Sequence, residues 1–523
     1  MENKRDGLSK RKKNLVNWFK SPTNLLFLAI LILAFGIRLY YFSLTMNQPL
    51  WWDEAEYMST AKGFAGITEN TYSVSLNRLP GFPFLVSLFY TVGIGDEAVL
   101  RFFLSLIPSL IVIILMYFVL ISLYSDKKIA LISTAIFTVL WEHVFYSNRF
   151  HTENLSLIFE LLAIFVLFRV YLKNQDFYFI KSRHAFLWIA LFSVICILFR
   201  SANMVFIPVM IFFLIAVNFY RIPKKFKALS AISLAIVIII GFSMMVFLSH
   251  KFEFVHQFYR YDFSLPWSTL SVFYGFYQSL VPFIPSILFY VFILGVATVL
   301  GGIIIFPEGL RRLNKNVDDN SYKADVFNLI LIAGFLFFFL FMLRPSAFEY
   351  RWFFAFLPGM LAFTARGLTR IGDFLKTLLN SRQLAYIVII ILLVFGLYTQ
   401  LQHSDMIVKD KLKSYQEVKD SGLWIKERTS PNDIVISSSQ TQLAYYSERK
   451  IYNLNNFDSE ENFTKFVMDN KPKYLVLSVF EPHPSWSYDW PQKNNESATP
   501  VQAYFADEAR TKPVLVIYQI NSA

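Results

Sequence analysis

The sequence predicts a mainly α-helical, polytopic membrane protein of about eleven transmembrane helices, with a small C-terminal extracytoplasmic α/β domain. Hydrophobic residues make up 55% of the 523 residues, charged residues only 16%, and the mean hydropathy is +0.45. Soluble domains carry about 25% charged residues, so this composition indicates a membrane protein. The apolar runs also end near residue 402, where strand-like and helix-like patterns begin to alternate.

Eleven apolar runs of 15–26 residues come close to the length of about 17–25 residues that is needed to cross a bilayer. They lie at 23–45, 98–123, 128–147, 152–172, 185–199, 202–220, 228–249, 281–305, 325–343, 351–370 and 384–402. The first run is too long for the hydrophobic region of a signal peptide, so we expect it to be retained. The predicted domains are a basic N-terminus (1–22), a membrane domain (23–404) and a C-terminal domain (405–523).

The distribution of lysine and arginine predicts the orientation of the chain. One alternating set of connections is strongly basic: Lys4–Lys13, Lys127-Lys128, Lys173–Arg183, Arg221–Lys227, Arg311–Lys315 and Arg366–Arg382. We assign this set to the cytoplasm, which places the N-terminus inside and the C-terminal domain outside. The net charge of +12 is therefore largely a topology signal, and no nucleic-acid partner is expected.

The C-terminal domain of about 115 residues is large enough for a core of its own. Its patterns predict helices at 410–428 and 459–469 and strands at Asp433–Ser437, Tyr474–Val479 and Val514–Ile520. The stretch Pro482–Trp490 is rich in aromatics and proline, and we favour a packed Ω-type loop over a substrate-facing one. The single cysteine, Cys196, excludes an intrachain disulfide.

The stretch Trp51–Tyr57 places three carboxylates between aromatic residues directly after the first span. It belongs to a predicted outer segment, 46–97, in which Asp53 caps a helix that ends near Phe64. Leu79–Pro83 forms a turn, and a short apolar helix follows it. Carboxylates so close to hydrocarbon are costly, which favours a functional site. The alternative is a solvated loop anchored by interfacial tryptophans.

Other ionisable residues of the outer connections share the same predicted depth at the membrane boundary. They are Arg101, Arg149, His151, Glu153, Arg200, Arg344, Glu349 and Arg351. Ionisable groups at this depth pair with one another or line a cavity. Arg149 with Glu153, and Arg351 with Glu349, are alternatively plain structural bridges, and a lone histidine is more often a packing residue. The spacing of His250, Glu253 and His256 is only a weak metal signal.

Carboxylates beside several arginines suit a reaction in which a phosphate group leaves. A carboxylate accepts the proton of an incoming hydroxyl as a general base. Arginine holds a phosphate through two hydrogen bonds and stabilises the negative charge that grows as the bond breaks. A site at the membrane boundary further suits a substrate whose tail stays among the membrane lipids.

These residues resemble the C-type, polyprenyl-phosphate-sugar-dependent membrane glycosyltransferases, which include protein O-mannosyltransferases and aminoarabinose transferases. Trp52–Tyr57 is similar to the family's Asp-Glu-x-x-Tyr signature, and Leu79–Pro83 to its proline turn. Ala98–Arg101 resembles the start of the second span, and Tyr350-Arg351 with Phe356–Pro358 a late span. The resemblance covers nearly the whole chain, and the order of the motifs is more specific than any one of them.

The resemblance implies an inverting transfer of a sugar from a polyprenyl-phosphate donor to an extracytoplasmic acceptor, in the plasma membrane of a prokaryote. It implies that Asp53 is the general base, that Glu54 supports catalysis and that Arg101 contacts the donor phosphate. We add Arg200, Arg351 and Tyr57 on the donor side. Arg149, His151 and Glu153 are further site candidates, and glutamate at 153 departs from the aspartate of many relatives.

Two other functions remain open from the sequence. A transporter or flippase of lipid-linked sugars predicts broken helices and inverted repeats, which the sequence does not display. A non-catalytic lipid-binding scaffold is the other, although the acidic motif is intact. No cofactor or metal ligand set is predicted, and assistance by a divalent cation stays open.

Overall fold

The computed structural model describes residues 18–68, 78–218, 287–305, 320–342, 350–507 and 509–521. The predicted span 228–249 and the residues Arg344 and Glu349 lie outside these ranges. Up to residue 410 the helices are α1 Pro22–Thr45, α2 Trp52–Phe64, α3 Gly81–Thr91, α4 Glu97–Tyr124, α5 Lys127–Val139, α6 Trp141–Tyr146, α7 Glu153–Leu172, α8 Ala185–Phe199, α9 Phe206–Asn218, α10 Ile287–Ile305, α11 Asn320–Met342, α12 Leu357–Leu378 and α13 Arg382–Asp410.

Six of the described helices are long and apolar enough to cross a membrane. They are Pro22–Thr45, Glu97–Tyr124, Glu153–Leu172, Ser182–Phe199, Ser321–Phe338 and Arg382–Asp410. Together they support an integral membrane protein, whereas the predicted count of about eleven spans is not confirmed.

The predicted span at 128–147 is interrupted. Leu140 leaves the helical region with φ −55° and ψ 121°, so that α5 ends at Val139 and α6 begins at Trp141. A helix of 13 residues is about 20 Å long, well short of a bilayer's hydrocarbon thickness of about 30 Å. The apolar run alone does not reveal this break because Leu140 is itself apolar.

The chain forms two compact units. The first unit comprises 1–41, 106–147 and 152–408, and the second comprises 42–105, 148–151 and 409–523.

The first unit is packed by aromatic side chains and by glycines at close helix contacts. Phe168, Phe213 and Phe327 of α7, α9 and α11 form a cluster with ring centroids 5.1–5.6 Å apart. A Cβ at Gly295 of α10 would lie 1.8 Å from the carbonyl oxygen of Phe363 in α12. Such an approach requires glycine, as in other tightly packed membrane helices.

The second unit contains a five-stranded sheet in the order β2-β1-β3-β5-β4. Strand β1 is parallel to β2 and β3, and β5 is antiparallel to β3 and β4. The elements are α14 Gln416–Arg428, β1 Ile434–Ser437, α15 Gln440–Ser447, β2 Lys450–Asn453, α16 Glu460–Asn470, β3 Tyr474–Ser478, α17 Trp490–Lys493, β4 Ala498–Phe505 and β5 Pro513–Ile520.

Alternate strand residues build a core on each face of this sheet. Val435 and Val476 pack with α14 and α15, whereas Ile436 and Leu475 pack with α16. The strands predicted at 433–437, 474–479 and 514–520 form within one residue of the expected bounds. Strands β2 and β4 and helix α15 were not predicted. Strand β2 has only four residues, and β4 carries Pro500, which is tolerated at an edge strand.

Candidate functional site

The acidic motif forms the first turn of α2. Trp51 is the N-cap residue, and its backbone N–H donates to the carboxylate of Glu54 at 2.8 Å. A glutamate at the third position of a helix accepts a hydrogen bond from the N-cap backbone in this way. Its negative charge also interacts favourably with the positive end of the helix dipole. The helix therefore begins at Trp52 with Trp51 as its cap, whereas the sequence predicted Asp53 as the cap.

Glu54 is completely buried and is surrounded by donors. Its carboxylate accepts from Arg149 Nη1 at 3.0 Å and from the backbone N–H of Phe150 at 2.8 Å, and Arg101 Nη1 lies 3.8 Å away. Burial alone would raise the pKa of Glu54, but Arg149 and Arg101, followed by smaller effects, lower it below the ordinary value. Glu54 is thus an ionised anchor inside the protein.

Arg101 joins two separate segments of the second unit. Its guanidinium donates to the carbonyl oxygens of Gln48 at 2.7 Å and Asn148 at 2.9 Å, and it lies 4.8 Å from the ring centroid of Phe150. The side chain is fully buried. Arg101 therefore fixes the approach to α2 against the segment 148–151.

Arg149 is held on both sides. Its guanidinium carbon lies 3.4 Å from the ring centroid of Trp51, a cation–π contact. Its carbonyl oxygen accepts from Ser105 Oγ at 2.7 Å and from the backbone N–H of His151 at 2.8 Å. The segment 148–151 is consequently a buried, hydrogen-bonded support for the first turn of α2, and Arg149 pairs with the carboxylate of Glu54.

Asp53 lies on a more accessible part of the same turn. It forms a short ion pair with Arg78, whose Nε also lies 3.2 Å from Glu56 Oε2. Their side chains are 18%, 32% and 22% exposed respectively, in contrast to the buried Glu54. Burial alone would lower the pKa of Arg78, but the neighbouring Asp53, Tyr57 and Glu56 raise it above the ordinary value.

Tyr57 packs beneath this pair. Its ring stands edge-on to Phe82 at 5.5 Å, and the guanidinium carbon of Arg78 lies 5.4 Å from its centroid. Sequence reasoning missed Arg78. Its position directly before the turn Leu79–Pro83 could have indicated that it lies near Asp53, because α3, which follows this turn, packs against α2.

A second cluster lies in the first unit. Glu153 Oε1 forms an ion pair with Arg200 Nη1 at 3.0 Å and lies 3.8 Å from Arg351 Nε. Arg200 also donates to the carbonyl oxygen of Arg351 at 3.3 Å. Two guanidinium groups of the first unit therefore lie beside the carboxylate of Glu153. Glu349, the alternative partner of Arg351, lies outside the described residues.

The described ranges contain no group of three or more His, Cys, Asp or Glu side chains placed to hold a metal ion. His250, Glu253 and His256 lie outside these ranges. The predicted site residues thus fall into two groups. Asp53, Glu54, Tyr57, Arg101, Arg149 and His151 belong to the second unit, and Glu153, Arg200 and Arg351 belong to the first.

No protein-family profile matches the sequence, and no curated protein matches it either. Solved structures do match. The oligosaccharyltransferase of Archaeoglobus fulgidus in the apo form aligns with a TM-score of 0.58 and 12% identity over 86% of this chain and 69% of that chain. The same enzyme tethered to an acceptor peptide containing the NVT sequon gives a TM-score of 0.54.

ArnT from Cupriavidus metallidurans in the apo state aligns with a TM-score of 0.55 and 12% identity, over 96% of this chain and 98% of that chain. Both neighbours are C-type glycosyltransferases. The likeness extends over nearly the full length of the chain and of ArnT. It confirms the fold that the motifs Trp52–Tyr57 and Leu79–Pro83 suggested.

Proposed function

We propose that this chain, which has the fold of the C-type membrane glycosyltransferases, transfers a sugar from a polyprenyl-phosphate donor to an extracytoplasmic acceptor. One observation carries the proposal above all others. The adjacent carboxylates of Asp53 and Glu54 have opposite environments, one accessible at the first turn of α2 and the other buried between arginines. In active sites with two neighbouring carboxylates, different environments are typical where one carboxylate is catalytic and the other supports it.

In the proposed reaction an acceptor hydroxyl or amine attacks the anomeric carbon of the sugar. Asp53 accepts the proton that the nucleophile loses, the new bond to the anomeric carbon forms, and the bond from that carbon to the phosphate oxygen breaks. The electron pair of the broken bond leaves with polyprenyl phosphate. A single displacement of this kind inverts the anomeric configuration.

Arg78 orients the base. Its guanidinium bridges Asp53 and Glu56, and a planar donor of this kind fixes a carboxylate better than a flexible ammonium does. We assign Arg78 to positioning Asp53.

Glu54 and Arg101 have positioning roles in this proposal. Both side chains are completely buried, and the guanidinium of Arg101 is directed at backbone carbonyl groups. That arrangement fits the support of α2 better than the catalytic and phosphate-binding roles implied by the family resemblance. Arg149 supports the same turn through Glu54 and Trp51.

Arg200 and Arg351 are the proposed ligands of the donor phosphate. Both lie beside the carboxylate of Glu153, and their side chains are 10% and 16% exposed, so each has some accessible surface. Paired guanidinium groups are suited to bind an anion and to stabilise charge on a departing phosphate.

The function is tested with the purified chain in liposomes that contain polyprenyl-phosphate sugars of several kinds, together with candidate protein, lipid and glycan acceptors. The proposal predicts release of polyprenyl phosphate coupled to a new glycosidic bond of inverted configuration, read by NMR. Movement of intact donor between leaflets without bond cleavage would instead establish the transporter function.

A further inference from the structure

Buried polar side chains lie at the carboxyl ends of two inner strands of the C-terminal sheet. Strands β1 and β3 are parallel neighbours, so their carboxyl ends meet at one edge of the sheet. Ser439 follows β1 and Ser478 ends β3, and both are almost completely buried. Their hydroxyl oxygens lie 3.2 Å apart.

Glu481 lies three residues beyond Ser478, and its carboxylate accepts hydrogen bonds from both serine hydroxyls. Its Oε2 accepts from Ser478 Oγ at 3.1 Å and from Ser439 Oγ through a short hydrogen bond. Its Oε1 accepts from the indole N–H of Trp52 at 3.1 Å. Glu481 is 4% exposed. A carboxylate of the loop after β3 thereby accepts a hydrogen bond from the residue that immediately precedes Asp53.

The loop that carries Glu481 is closed by its own side chains. His483 Nδ1 donates to the carbonyl oxygen of Glu481 at 2.8 Å, and Tyr488 OH donates to that of Ser478 at 3.2 Å. The rings of His483 and Tyr488 stand edge to face at 4.3 Å. These contacts hold the backbone of the loop on both sides of the Glu481 side chain.

Other contacts already dock α2 on the C-terminal domain. Tyr446 OH accepts from the backbone N–H of Leu50 at 2.9 Å, and Lys62 forms an ion pair with Glu448 at 2.7 Å. The Glu481–Trp52 hydrogen bond is not required to bring these elements together. What it adds is a fixed orientation of the first turn of α2.

We infer that Glu481 is a positioning residue of the proposed glycosyltransferase, acting through the indole of Trp52 to fix the turn that carries Asp53. The inference rests on the proposed function. It gives the C-terminal domain a part in the reaction, since a residue of the loop after β3 orients the general base through Trp52.

The carboxyl group of Glu481 is perturbed by its burial. Burial raises the pKa of Glu481 above its ordinary value despite the hydrogen bonds from Ser439, Ser478 and Trp52. Burial therefore disfavours the ionised form of Glu481. Such shifts accompany functional sites and structural networks alike, so the inference rests on the hydrogen bond from Trp52 to Glu481.

The test uses Glu481→Leu, which removes the acceptor, and Glu481→Gln, which keeps a carbonyl oxygen for the indole N–H. Trp52→Phe removes the donor from the other side. Matched controls are Glu496→Leu, at an exposed glutamate of the same domain, and Trp424→Phe, whose ring packs against Tyr474. All variants are full-length chains in liposomes.

The first readout is independent of activity. Hydrogen–deuterium exchange of the peptide around residues 50–60 should speed up in Glu481→Leu and in Trp52→Phe, and should stay at the wild-type rate in Glu481→Gln and both controls. Unchanged exchange in Glu481→Leu would overturn the inference, whether or not the protein transfers sugar.

The second readout is steady-state transfer. We expect kcat to fall about tenfold in Glu481→Leu and Trp52→Phe with little change in KM, and to recover in Glu481→Gln. The double variant should be no slower than the slower single variant, because both changes remove one hydrogen bond. Multiplying effects, or wild-type kcat in both single variants, would overturn the inference.

The two failures are distinguishable. A wild-type chain that transfers no sugar from any donor refutes the proposed function. A wild-type chain that is active, with Glu481→Leu as fast as Glu496→Leu, refutes only the role of Glu481.

Discussion

The guanidinium of Arg149 lies 3.0 Å from the carboxylate of Glu54, and the two side chains are 2% and 0% exposed. Arg101 approaches the same carboxylate to 3.8 Å. Buried ion pairs of this kind add little net stability, but the removal of one partner leaves an uncompensated charge in the interior. The relationship ties the acidic motif to the segment 148–151 and makes Glu54 a support for its neighbour Asp53.

Replacement of Glu54 should therefore be costly to the fold. We expect Glu54→Gln to destabilise the second unit by about 3–5 kcal/mol, because Arg149 and Arg101 lose their carboxylate. Glu56→Gln is the matched control, and its partly exposed pair with Arg78 should cost below about 1 kcal/mol. Thermal unfolding in detergent, with exchange of peptides from the second unit, measures both. Equal stability of the two variants would contradict the supporting role.

The contribution of Glu54 also has a defined pH dependence. Its pKa is lowered in the folded chain, so its ionised form stabilises the fold above the ordinary value of 4.5, and this contribution is lost as the pH falls through the lowered pKa. The stability difference between wild type and Glu54→Gln should accordingly be constant near neutrality and shrink only in strong acid.

The contribution of Glu481 to folding stability should have the opposite pH dependence. Its pKa is raised, so the folded chain binds more protons than the unfolded chain between 4.5 and the raised value, and stability falls as the pH rises through this window. Glu481→Gln removes this titration. We expect its unfolding temperature relative to wild type to increase as the pH rises from 4.5 towards neutrality. A relative unfolding temperature that declines over this range would show that the carboxylate is favourable to the fold.

Arg78 should affect rate more than stability. Arg78→Lys keeps the positive charge but loses the planar pair of donors that joins Asp53 to Glu56, and we expect kcat to fall about tenfold. Lys471→Gln, at an exposed helix end of the same unit, is the control. Full activity of Arg78→Lys would show that charge alone suffices at this position.

Arg351 tests the proposed phosphate contact. Arg351→Gln removes one of the two guanidinium groups around Glu153, and transfer at low donor concentration should fall about 10–1000-fold. Arg382→Gln, an arginine that interacts with Tyr386 at the start of α13, should retain wild-type rates. Donor titrations separate binding from chemistry. A wild-type kcat/KM for the donor in Arg351→Gln would remove this residue from the phosphate site.

Much of the fold follows from local patterns. Long apolar runs predict α1, α4 and α7 to within about two residues, because hydrophobic length is set by the bilayer itself. The break at Leu140 was not predictable from apolarity. In the sheet, β2 and the proline-containing edge strand β4 form through pairing with strands already in place rather than through their own patterns.

The site was predictable only in part. The motif around Asp53 and the paired arginines is visible in the sequence because ionisable residues are rare beside apolar runs. Arg149 was considered as a partner of nearby Glu153, yet its carboxylate is Glu54, 95 residues earlier. Glu481 lies 429 residues from Trp52, and no local signal connects two such positions. Only the fold brings them together.

The most direct test of the proposed mechanism is the transfer rate of Asp53→Asn. Loss of a general base should lower kcat by about 10²–10⁴-fold, while the unfolding temperature and donor binding stay near wild type. Asp458→Asn, the same substitution at an exposed aspartate of the same unit, should transfer sugar at the wild-type rate. A folded Asp53→Asn variant that transfers sugar as fast as Asp458→Asn would contradict the assignment of Asp53 as the base.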